Sequence, residues 1–151
     1  MLKMKIPLFF CLALLASACL KSAGGIESRF FKGDIATRAE RLEKFPLDQQ
    51  YLIFLYGNQV IHPPTTGLAA PIAKQGKLAA DFVLQELRRS SNDLDFRDSL
   101  RIFSDMRGGG YYDVCSNPDA ISEIRRNEEK IRDDDWRNIY HQMLSHLCPN
   151  P

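Results

Sequence analysis

From residue 34 to residue 148 the apolar side chains return again and again at helical spacing, and nowhere alternate as a half-buried strand requires. Asp34 is placed to cap a helix with Ile35, Ala39 and Leu42 on one stripe, stopped near Pro46. Residues 47–61 continue as a buried helix with Leu47, Tyr51, Phe54 and Leu55 inward. His62-Pro63-Pro64 breaks the chain, because two prolines remove two donors and force extended backbone ahead of them. Thr66 then caps a short helix to Gln75, with Leu68 and Ile72 inward and Gly76 as its stop. The next stripe, Leu78, Phe82, Val83 and Leu87, spans residues 77–89, and Ser90 to Asp93 separate it from Phe96, Leu100, Phe103 and Met106.

Gly108-Gly109-Gly110 ends that helix, and residues 111–115 connect it to the next. Asn117-Pro118 reads as a cap followed by a proline at the first helical position, opening a helix over 118–132 with Ile121, Ile124 and Ile131 inward. Asp133-Asp134-Asp135 turns the chain and supplies negative charge where a helix N-terminus wants it. The last stripe, Trp136, Tyr140, Met143 and Leu147 over 135–147, stops at Cys148-Pro149. About seven helices joined by short turns predict an all-α fold of stacked antiparallel helical hairpins in one domain, residues 34–148. The Pro-containing helix, turn glycine and large-residue helix of residues 62–106 resemble a HEAT-type repeat. That resemblance implies a right-handed helical stack used as a binding scaffold.

Ahead of the domain lies a segment of another kind. Lys3 and Lys5 precede a ten-residue apolar stretch, residues 6–15, and then Ala16-Ser17-Ala18. The stretch is half the ~20 residues needed to span a bilayer. A positive start, a short apolar run and a small-residue triplet make residues 1–18 a signal peptide, to be set aside from the fold. Leu15-Ala16-Ser17-Ala18-Cys19 resembles a bacterial lipobox, in which the cysteine is acylated and becomes the first mature residue, although Ala16 stands where Leu is usual. Ala16-x-Ala18 also satisfies the ordinary signal-peptidase rule, so a soluble periplasmic or secreted product stays open. The small and polar residues that follow suit a lipid-anchored chain, with 19–33 as the tether. The expected location is the cell envelope, facing the periplasm.

Export changes the meaning of the cysteines. Of four, Cys11 leaves with the signal and Cys19 is the acylation site, which leaves Cys115 and Cys148 in a compartment that permits disulfides. Neither belongs to a C-x-x-C, so zinc has no ligand set there. Antiparallel pairing of the last two helices brings the residues before one beside the residues after the other, and so brings the two thiols together.

Chemistry is harder to find. His141 and His146 are five apart on one helix, ~140° around its axis, and cannot share a metal. His62 sits in the Pro-Pro loop. Asp93-x-Asp95 begins like a calcium loop, but Arg97 takes the third ligand position and no glycine follows. The glycine triplet lacks the Lys-Ser/Thr of a phosphate loop. No catalytic, metal or cofactor residue is therefore assigned.

Without residues 1–18, Lys3 and Lys5 are gone and 18 basic side chains face 19 acidic ones, a balance that offers no footprint for nucleic acid. What remains is Tyr111-Tyr112 after three glycines, a segment suited to contact with a partner; packing of Tyr111 under the disulfide is the alternative. Neighbours in extended chain point to opposite sides, so at most one of the two tyrosines packs inward. The expected function is a non-enzymatic envelope protein that binds another protein, itself unidentified. An immunity or inhibitor protein against a toxin or hydrolase is the alternative, and an enzyme without local signature a lesser one.

Overall fold

The computed structural model describes residues 25–149 and places every regular element among them in a helix. In chain order these are α1 (Ile26–Phe30), α2 (Arg38–Leu42), α3 (Leu47–Gln59), α4 (Ala69–Ala73), α5 (Lys77–Arg89), α6 (Asp93–Gly108), α7 (Pro118–Asn127) and α8 (Asp134–Leu147). Short 3-10 turns precede α4 and follow α7. The all-α expectation holds, with eight α-helices among the described residues where about seven were expected.

Local chemistry sets most of the helix starts. The Asn92 side chain accepts the Leu94 N–H, Asn117 accepts those of Asp119 and Ala120 ahead of Pro118, and Asp133 accepts that of Trp136. Each satisfies a donor the first helical turn leaves open. Inside, Phe54, Phe96, Phe103, Met106 and Tyr140 are fully buried and join α3, α6 and α8 into one core. The Tyr140 hydroxyl finds its partner in the Ile124 carbonyl at 2.8 Å, and that of Tyr51 in Ser99 at 3.0 Å.

The beginning of the domain departs from the sequence reading. Residues expected to lie in the tether fold: α1 buries Phe30 against Phe31 and Phe45, because two adjacent phenylalanines carry more apolar area than a solvated tether leaves in water. The far end of the Phe31 ring meets Gly57 of α3, where a Cβ would come within 2.7 Å of it. Residues 34–37, expected as the first turn of a helix, instead form an Asx turn. The Asp34 carboxylate accepts from the Ala36 N–H at 3.1 Å and the Thr37 hydroxyl at 3.4 Å, and so competes with helix formation. Only Leu42 of the expected stripe is buried; Ala39 is exposed and Ile35 is 75% exposed.

Arg41 fixes this turn. Its guanidinium donates to the carbonyls of Phe30 and Asp34 and lies over the Phe30 ring, 4.7 Å from its centre. Arg38 stacks likewise on Phe31.

Leu78 is a second correction: expected inward, it is 64% exposed, because α5 turns Ala79, Ala80, Val83, Leu84 and Leu87 to the core and leaves Leu78 off that face. A third is the extent of α7, which stops at Asn127, with a 3-10 turn over Glu128–Lys130 in place of the expected continuation to 132. Packing at the C-terminus also has two parts. Cys115 with Cys148, Ile124 with Tyr140 and Ile131 with Arg137 run α7 and α8 antiparallel, as expected. The more extensive partner of α8 is nevertheless α6. These two helices run parallel, held by links at separations of 39 to 40 residues: Asp93 to Arg132 and Asp133, and Arg107 to Leu147. Between them Arg97 lies over the Trp136 ring at 4.6 Å.

Candidate functional site

The segment after α6 is closed by a Schellman motif. Gly110 N–H donates to the Arg107 carbonyl and Tyr111 N–H to that of Met106, the paired bonds that satisfy the last carbonyls of a helix. The motif needs a left-handed residue at its turn, and Gly110, with φ of 70°, supplies it. Gly109 has another task. A Cβ there would lie 2.3 Å from the Tyr111 ring, so the ring is seated directly on the glycine backbone. The triplet is thus the helix stop that the sequence suggested, and an aromatic seat as well.

The two tyrosines part company. Tyr111 is 48% exposed, while Tyr112 is half-buried against the core and its hydroxyl accepts from the Asn117 side chain at 2.9 Å. The carbonyl of Tyr111 closes on Gly76, where φ is 58° and an added Cβ would stand 3.0 Å from that oxygen, so a side chain there is strained and tightly packed. Gly76 lies two residues before the exposed Leu78, so the start of α5 borders the segment.

Its far end is fastened more firmly. Asp113 accepts from the Cys115 N–H at 3.0 Å and faces the Arg107 guanidinium at 3.6 Å. Val114 is fully buried. Cys115 and Cys148 form a disulfide with a Cα–Cα distance of 5.5 Å, and Arg107 also donates to the Leu147 carbonyl one residue before Cys148. The alternative place for Tyr111, packed beneath the disulfide, is not the one it takes. Cys19 lies outside the described residues.

The acidic residues weighed for metal binding are spoken for. Asp93 accepts the backbone N–H groups of Arg132 and Asp133, and these bonds hold its carboxyl below the ordinary range despite burial. Asp95 takes the side chains of Gln59, Asn92 and Ser90. Asp98 is buried, which raises its pKa, and Arg97 at 2.5–2.7 Å works in the opposite direction. This polar network at the α3–α6 contact was not foreseen, since its members read singly as solvated charges. The only advance signal was Ser90, Asn92 and Asp95 spaced as cap residues. His141 meets Glu128 at 3.1 Å, His146 bonds the Gln142 carbonyl, and His62 is exposed. Among the described residues no three His, Cys, Asp or Glu side chains are grouped to hold a metal ion, and no helix is long and apolar enough to cross a membrane.

Comparison with protein-family models, curated proteins and solved structures finds no match to this chain.

Proposed function

We propose that the chain is a non-enzymatic protein of a bacterial envelope, exported, acylated at Cys19, and binding another protein through residues 108–114. The observation that carries the binding surface is the seating of Tyr111. Its ring rests on Gly109, its N–H is tied to Met106, and its carbonyl abuts Gly76, yet half of the residue faces solvent. An aromatic side chain fixed before it meets a partner loses little freedom on binding, which is how rigid anchors gain affinity. A balance of 18 bases and 19 acids in the mature chain gives no long-range steering, so such an anchor matters more. The lipobox-like residues 15–19 and the Lys3, Lys5 and apolar-run pattern support the anchor and export.

A photo-crosslinking residue at position 111, in cells, tests the surface. A discrete adduct at 111 that is absent at Ile139, another exposed apolar position on α8, is the expected result. Tyr111→Ala should then abolish copurification of that same species at unchanged melting temperature, while Tyr112→Ala lowers stability. No adduct, or equal adducts at both positions, removes the surface. An adduct that is a toxin or hydrolase assigns the inhibitor role.

A further inference from the structure

We infer that the Asx turn carrying Ile35 is a second point of contact with the bilayer, Ile35 entering the headgroup region with Arg29 and Lys32 at the lipid phosphates. The inference rests on the proposed acylation of Cys19, and it begins from distance. Seven Cα steps join Cys19 to Ile26, the first residue of α1. A chain gains at most ~3.6 Å per residue, so α1 starts within ~25 Å of the anchored sulfur however the intervening residues run. The domain cannot stand far from the membrane, and the surface around α1 is the part held nearest to it.

That surface is built for such a contact. Ile35 is the most exposed of the large apolar residues described, at 75%. A single exposed isoleucine is ordinary. This one is presented on a turn fixed from both sides, by the Asp34 carboxylate bonding Ala36 and Thr37 and by the Arg41 guanidinium gripping the Phe30 and Asp34 carbonyls. Ala36 beside it is exposed as well. Arg29 and Lys32 are exposed and enter no ion pair among the described residues, whereas Asp34 spends its carboxylate inside the turn. Two exposed cations, six and three residues before the apolar tip, supply charge for lipid phosphates beside a side chain for the acyl region.

The test uses the mature, acylated protein with its disulfide intact, reconstituted in vesicles of phosphatidylethanolamine and phosphatidylglycerol. An environment-sensitive fluorophore is attached at Ile35→Cys, and in a separate sample at Leu78→Cys, also exposed. A blue shift at 35 with quenching by headgroup-labelled nitroxide lipid, and neither at 78, is the expected outcome. Arg29→Glu with Lys32→Glu should reduce the shift at 35. A water-like probe at 35 on protein that floats with the vesicles overturns the contact and leaves the anchor standing. Equal shifts at 35 and 78 overturn it too. A shift at 35 that grows with protein concentration without vesicles assigns the turn to a second copy of the chain and overturns the bilayer contact. Mass spectrometry of the same sample reads the premise: an unmodified Cys19 removes the anchor, and this inference with it.

Discussion

Asp93, the first residue of α6, accepts the backbone N–H of Asp133 at 3.0 Å, and through it starts a helix 40 residues further along the chain. The same carboxylate oxygen takes the Arg132 N–H at 3.1 Å, and the Arg132 guanidinium stands 3.6 Å away. One side chain thus sets the register of α6 against α8 at their N-terminal ends. Arg107 does the same at the other end, on the Leu147 carbonyl.

Asp93→Ala should lower the melting temperature more than Asp93→Asn, which keeps an acceptor oxygen. The pH dependence has a definite sign. The folded state holds the Asp93 carboxyl below its ordinary value of 3.8, so its stabilising effect is complete above that value and is lost as pH falls through the lower, folded one. Melting temperatures of wild type and Asp93→Asn should differ at neutral pH and begin to converge only as the pH falls below 3.8.

Cys148→Ser should cost about 3–4 kcal/mol, the entropy of a closed loop of this length in the unfolded chain. Denaturant titration of the oxidised protein against the variant measures it. Hydrogen exchange should show the loss first in the last turn of α8, which the bond at Cys148 holds to the start of α7.

The three glycines should respond with different signs. Gly110→Ala places a side chain at φ of 70° and should destabilise by about 1 kcal/mol. Gly108→Ala, at a helical position with nothing within 4 Å, should be neutral or stabilise by up to ~1 kcal/mol. Gly109→Ala displaces the Tyr111 ring, and should weaken partner capture more than it changes the melting temperature.

Tyr140→Phe should cost about 1 kcal/mol by removing the buried hydrogen bond to the Ile124 carbonyl. Phe103→Ala, which empties a fully buried site, should cost about 3–5 kcal/mol. Thermal melts of both variants check the difference in scale.

Features decided by neighbouring residues were open to reading from the chain alone. Asn117-Pro118 caps α7 as its composition requires, the bounds of α5 were found to the residue, and only one of the two tyrosines turns to the core, although the turn at Met106 and not an extended backbone divides them. Features decided by what arrives from elsewhere were not. A stripe of Leu78, Phe82, Val83 and Leu87 outweighs on paper the face that is buried, because Ala79 and Ala80 carry little apolar signal of their own. The Gly24-Gly25 composition hid the fact that Phe31 has a glycine on α3 to lie against. Sequence adjacency favours α7 as the partner of α8, while the closer packing with α6 depends on Asp93 and Arg107, whose roles appear only when both ends of the pair are in view.

The disulfide also alters how the chain answers to force. Cys115 and Cys148 are 33 residues apart, so tension applied at the two termini passes directly across the bond. Helices α7 and α8 are enclosed in a loop that such tension never straightens. Pulled taut, the oxidised polypeptide is shorter than the reduced one by about 110 Å of contour, at ~3.6 Å for each shielded residue less the short span of the bridge. A protease that nicks the chain between the cysteines leaves both pieces joined.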